Sequence, residues 1–207
     1  MNALPLLVLF VTAFVDMIGL TMVIPLLPYY ATDFGAGATM IGVLISAFSI
    51  AQLAVAPSWG RFSDRYGRRP AILAGLLLTA VAYGLFAFAG SIVALLVSRL
   101  IQGTGGGTIG VVQAYVADVS KPRERTKSLG WLSVVTSMGA VAGPAFGSAM
   151  ISLGGRRAPG IAAAALSVLV SIFAWRFLRE STELRHTTSH PTVSTETSRG
   201  AIRRVLT

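Results

Sequence analysis

The chain has 207 residues, 54% of them hydrophobic and only 12% charged, about half the charged fraction usual in a soluble domain. Its 17 Lys and Arg against 8 Asp and Glu give a net charge of +9, but the basic residues sit in short loops and toward the carboxyl end with no aromatic-interleaved basic face, so no nucleic-acid partner is indicated. There is no cysteine, which excludes a disulfide framework, a thiolate metal site and a cysteine nucleophile.

A membrane-crossing helix needs about 20 largely apolar residues. Six segments qualify, at roughly 3–27, 39–59, 70–89, 92–116, 129–153 and 158–175. The amino-terminal stretch lacks a charged leader and a small-residue cleavage site, and reads as a first span and not a removable signal. Connections are short, as between neighbouring antiparallel helices, and the abundant glycine marks close helix packing.

The first span carries Asp16, roughly 16 Å along a helix from Pro5, followed by Gly19, Pro25 and Pro28. Pro25 removes one backbone hydrogen bond near the far end of that helix. Between the second and third spans lies Gly60 to Pro70, a tight basic turn with Arg61, Arg65, Arg68 and Arg69 around the single carboxylate Asp64. Gly60, Asp64, Arg65, Gly67, Arg68 and Arg69 fit the spacing G-x-x-x-D-R-x-G-R-[RK]. The fourth span holds Arg99, Gln102, Gly103, Gly105, Gly106 and Gly107, and ends at Asp118. Its G-x-G-x-x-G run (Gly105, Gly107, Gly110) follows no strand and lies at membrane depth, so it fails the context of a dinucleotide site. Arg99 lies roughly 12 Å along a helix from Ser91. In a hydrocarbon core about 30 Å thick, Asp16 and Arg99 both fall near the middle, where ionisable groups face a cavity or a partner. Having opposite charge, they either pair as a packing device or compete for a proton and a ligand. The fifth span carries Gly139, Gly143, Pro144 and Gly147; the four-residue spacing puts the glycines on one face, and Pro144 favours a kink.

Fourteen basic residues flank one side of these spans and two, Arg156 and Arg157, the other. That bias places both termini in the cytoplasm. Trp59, Trp131 and Trp175 fall at the same ends of the helices, where an amphipathic ring is stable. After Trp175 the chain turns polar, and residues 179–207 are expected to have little fixed structure. His186 and His190 lie in this tail and read as solvated side chains, not metal ligands. No metal and no cofactor is expected.

The loop pattern resembles the signature between helices two and three of the major facilitator superfamily of secondary transporters. Arg99-x-x-Gln102-Gly103-x-Gly105 is similar to that superfamily's R-x-x-Q-G-x-G motif, which implies a role for Arg99 in proton coupling. Asp16-x-x-Gly19 with Pro25 and Pro28 looks like the first helix of tetracycline/proton antiporters. The fifth-span glycines resemble the antiporter motif G-x-x-x-G-P-x-x-G-G, departing at Ser148; helix packing alone is the competing explanation for them. The resemblance further implies a charge relay of Asp64, Arg68 and Asp118, with Arg125 nearby.

What the resemblance implies is an all-α membrane protein of six transmembrane helices: the amino-terminal half of a major facilitator fold, two inverted three-helix repeats. The bundle would occupy residues 1–178, and 179–207 would begin a central loop. Transporter sites cluster at the midplane, which favours a functional role for Asp16, Arg99 and Gln102. The function implied is proton-coupled efflux of small molecules or drugs by a half or truncated form in the plasma (inner) membrane. Its partners would be lipid, protons, substrate and a second six-helix half or a second copy. The alternative is a non-transporting remnant. An enzyme is disfavoured: no span holds a histidine, cysteine or lysine, and no serine–base pair is visible. A channel is weaker still, because no pore-lining amphipathic stripe repeats.

Overall fold

The computed structural model describes residues 3–178; the polar tail from 179 onward, with His186 and His190, lies outside the described residues. Among the described residues, eight helices make six spans. The first span comprises α1 (Ala3–Val23) and α2 (Leu26–Asp33). α3 (Ala38–Tyr66) and α4 (Arg68–Ala87) are the second and third. α5 (Ile92–Gly106) and α6 (Ile109–Val119) form the fourth, and α7 (Arg125–Gly154) and α8 (Ala158–Phe177) the fifth and sixth. All six are long and apolar enough to cross a membrane.

Several boundaries differ from the sequence expectation, each for a local reason. The first span is not one helix to residue 27, because it breaks at Ile24–Pro25 and then runs on to Asp33; proline has no N–H to give the preceding turn. The fourth span breaks at Gly107–Thr108, beyond a run of glycines, the residues that gain least from a helix. The carbonyls left at that break are met from α3: Gln52 donates to Gly106 (2.9 Å) and Trp59 donates to Thr104 (2.6 Å). Trp59 is therefore a helix-to-helix tie and not merely an interfacial anchor. The basic stretch is not an open turn from Gly60 to Pro70. α3 continues through it to Tyr66, and the chain reverses at Gly67 alone, with φ 105° and ψ 159°, a region essentially reserved for glycine. Outside the hydrocarbon core, charged side chains do not oppose a helix, so hydropathy marks where lipid ends and not where the helix ends.

α1 packs on α7 and α8, α4 on α5 and α8, and α3 on α5. The α1–α7 contact is made by the fifth-span glycines. A Cβ on Gly139 would meet the Phe14 carbonyl at 2.6 Å, one on Gly143 the Ile18 carbonyl at 2.8 Å, and one on Gly147 the Met22 carbonyl at 3.0 Å. Apolar side chains gather in two clusters. One, at the end bearing the basic loop, contains Val8, Leu9, Ile72, Tyr115, Val116 and Leu132. The other, toward the far end, contains Met22, Leu27, Leu44, Tyr83, Phe86 and Leu95. Between them each inner helix contributes polar groups: Asp16 from α1, Thr79 from α4, and Ser98, Arg99 and Gln102 from α5. α3 and α7 are the most exposed spans, with Leu53 at 77% and Val141 at 80%.

Candidate functional site

The mid-depth polar layer is built by register. Asp16 lies one turn before Gly19 on α1, half-buried, and lines a cavity of about 520 Å³. That cavity is walled by α1, α4, α6 and α7, with Thr12, Met17, Gln113, Ser133 and Thr136 adding polar or polarisable groups to an otherwise aliphatic lining. On its other flank Asp16 reaches a small cavity shared with Gln52, Thr79, Tyr83 and Gln102. Arg99 is 2% exposed, its guanidinium 5.7 Å from the centre of the Phe86 ring. Its Nε and Nη2 have no hydrogen-bond partner among the described residues, and neither amide atom of Gln102 has one. Asp16 and Arg99 do not form an ion pair; ion pairs among the described residues include Arg68–Asp64, Arg68–Asp118 and Arg156–Asp33. Tyr83, a residue sequence reasoning passed over, is within electrostatic reach of Asp16 and Arg99 and lies beside the Gln102 side chain, close enough to interact with it. The signal that could have found it is Thr79-x-x-x-Tyr83, two hydroxyls on one face of a span otherwise aliphatic.

At the basic loop, Arg68 is the hub. Its guanidinium donates to Asp64 at 2.7 Å, to Ser63 at 2.9 Å and to Asp118 at 3.3 Å. The start of α4 is thus tied both to the end of α3 and to the end of α6. Arg125 donates to the Ala117 carbonyl at 3.1 Å and joins this end of the bundle. Arg69 donates to the Trp175 carbonyl in the last turn of α8, satisfying one of the acceptors a helix end leaves open. Arg65 lies over the ring of its neighbour Tyr66 and is exposed. Gly60 has nothing within 4 Å of a notional Cβ and faces a cleft of about 440 Å³ shared with Gln52, Asp64, Arg68 and Gly110.

The far end has its own tie. Arg156 pairs with Asp33 at 2.5 Å, stacks over Tyr30 (4.6 Å) and Phe34 (5.3 Å), and its carbonyl accepts from the Tyr30 hydroxyl. It joins the end of the first span to the α7–α8 turn. The clue in the sequence was the placement of Asp33, an acid, on the side otherwise charged only by Arg156 and Arg157. Among the described residues there is no group of three or more potential metal ligands.

An all-helical bundle with ionisable groups in a mid-depth layer, and cavities opening onto them, defines the class: a multi-pass membrane protein of the transporter kind. Comparison with known proteins makes this specific. The sequence profile of the Major Facilitator Superfamily matches residues 9–206, and the chain belongs to that superfamily. It is 32% identical over 168 residues to the quinolone resistance protein NorA of Staphylococcus aureus (strain MRSA252), covering 81% of this chain and 43% of the relative. It is 33% identical over 174 residues to multidrug resistance protein 1 of Bacillus subtilis (strain 168), covering 84% and 44%. The crystal structure of the human organic anion transporter MFSD10 (TETRAN) superposes with a TM-score of 0.72 at 30% identity, over 86% of this chain and 47% of that one. The chain spans less than half the length of the curated relatives it matches.

Proposed function

We propose that the chain is the amino-terminal six-helix half of a proton-coupled exporter of small, drug-like molecules, working with a second six-helix half that closes the cavity. The observation that carries this reading is the placement of Asp16: a carboxylate among apolar helices, in the wall of a cavity of about 520 Å³, where a charge is costly unless it binds a proton, a cation or a partner. The resistance functions named for the bacterial relatives support export of drugs. The second half is either part of the same polypeptide, another chain or a second copy; the exposed apolar faces of α3 and α7 are the surfaces for it. The basic-loop end is taken as cytoplasmic, in a plasma membrane, from the charge bias. Asp64, Arg68 and Asp118 are taken as a latch that is made and broken as the two halves rock.

The test is transport by the completed assembly in vesicles with an imposed pH gradient. Asp16→Asn is expected to abolish proton-driven export while leaving drug binding or downhill exchange in part. Full gradient-driven export by Asp16→Asn would overturn the coupling role, and no export by the unmodified assembly would favour the non-transporting alternative.

A further inference from the structure

Tyr83 and Gln102 frame a site of different character from the large cavity. On α4, Thr79 and Tyr83 are one turn apart, buried to 3% and 1% exposure. The Tyr83 ring crosses to α1 and lies against Gly19, where a Cβ would sit 2.8 Å from the hydroxyl oxygen. Gly19 is one turn beyond Asp16, so the missing side chain lets a phenol reach the flank of the carboxylate. Gln102 comes from α5 and is 2% exposed. Asp16, Gln52, Thr79, Tyr83 and Gln102 line a cavity of about 20 Å³. The Tyr83 hydroxyl and both amide atoms of Gln102 are sealed from solvent; the two side chains lie close enough to interact with each other, but none of these atoms makes a bond of full hydrogen-bond geometry among the described residues. The Thr79 hydroxyl cannot donate to them, since its proton goes to the Gly75 carbonyl at 2.9 Å.

Buried polar atoms left without partners cost free energy comparable to a lost hydrogen bond each, so a group of them around one cavity points to an occupant. Size limits it: a cavity needs roughly 10–15 Å³ to take one water, and this one is too small for an organic molecule. Chemistry limits it too. The wall offers donors, from Tyr83 and the Gln102 amide, together with acceptors, the Gln102 oxygen and the Asp16 carboxylate. A bare anion would leave the acceptors unmatched and a bare cation the donors. Water, which donates and accepts, matches both. We propose that this cavity is a one-water site, in which Tyr83 and Gln102 hold a single buried water against Asp16. The site gives Asp16 a hydrogen-bonded neighbour on the flank away from the large cavity, toward the side where Arg99 lies. Gly19 is needed for it because a side chain there would displace the Tyr83 hydroxyl.

The test reads the water and not transport, so it is decided separately from the exporter reading. The purified full chain in detergent is exposed to a short X-ray pulse, and oxidation by radicals formed from nearby water is mapped by mass spectrometry. Tyr83 is expected to be labelled severalfold faster than Tyr115, which is equally buried at 0% exposure. In Gly19→Ala and in Gln102→Leu, labelling of Tyr83 should fall to the Tyr115 level while exposed Tyr66 is unchanged; two variants are used so that one failing to fold does not end the test. Equal labelling of Tyr83 and Tyr115 in the unmodified chain overturns the proposal. So does Tyr83 labelling that persists in a folded variant, because the radicals would then come from bulk solvent.

Discussion

Single atoms decide which glycines matter. A Cβ on Gly143 would lie 2.0 Å from the Thr21 hydroxyl and 2.8 Å from the Ile18 carbonyl. The hydroxyl can turn away but the backbone cannot, so Gly143→Ala is expected to lower stability by about 1–3 kcal/mol, the usual cost of overpacking. Gly130, on the same helix, has nothing within 4 Å of a notional Cβ, and Gly130→Ala should be neutral or stabilising by up to about 1 kcal/mol, the helix-propensity difference. Thermal unfolding of the two variants in detergent checks the contrast. The departure of the chain at Ser148 from the antiporter pattern is also explained here: Ser148 is exposed, and its hydroxyl donates to the Pro144 carbonyl at 3.0 Å, so that position does not face α1. At the basic loop the same scale separates stability from function. Asp64 keeps 68% of its side chain exposed, and an exposed ion pair contributes only about 0.2–1 kcal/mol. Asp64→Asn should therefore leave the unfolding temperature nearly unchanged. On the latch reading it still slows transport in the completed assembly; unchanged transport rates would reduce the loop to a topology anchor.

Elements meet through junctions that each rest on one or two residues. α3 and α4 share Gly67, whose φ of 105° and ψ of 159° suit no side chain. Gly67→Ala is expected to cost about 1–3 kcal/mol of backbone strain and to shift the start of α4, loosening Arg68 from Asp118. Weaker protection against hydrogen exchange of the amides of Tyr66 and residue 67, the latter bonded to the Ser63 carbonyl at 2.9 Å, compared with those in mid-α4, is the observable; unaltered exchange would show that the turn relaxes without strain. The α5–α6 break and the α1–α2 break behave differently, because each stays inside one span. There the freed backbone groups must find partners within the protein, since lipid offers none. At the α5–α6 break α3 supplies Gln52 and Trp59.

For the whole molecule the question is which way the bundle sits and what covers it. In the proposed orientation, which rests on the basic asymmetry, the Arg68 hub faces the inside of the cell. Cysteines introduced singly at Gly37 and Gly90, both exposed at the far end, should react with an impermeant thiol reagent added outside intact cells, and one at exposed Lys121 should not. The reverse pattern would invert the bundle. The two apolar clusters bracket a polar layer, so apolar packing holds the ends of the spans while the middle stays open to charge. That division allows a mid-depth site to keep buried polar groups without the bundle coming apart, because the neighbouring packing outweighs their cost.

The number of spans, their order and the position of every motif were legible in the residues themselves. In lipid each helix must satisfy its own backbone, so a local stretch of apolar residues is enough to define a span. Distance along the helix likewise placed Asp16 and Arg99 at similar depth. What the chain alone could not convey was which groups at one depth face each other. That depends on the rotation and neighbours of every helix, and those are set by close approaches such as Gly143 to Ile18 and Gly103 to Phe48. Only the tertiary structure therefore separated Asp16 from Arg99, brought Tyr83 and Gln102 to Asp16, and joined Asp33 to Arg156 across more than a hundred residues. Depth follows from sequence because helix rise is constant; facing follows only from packing, which every helix shares in deciding.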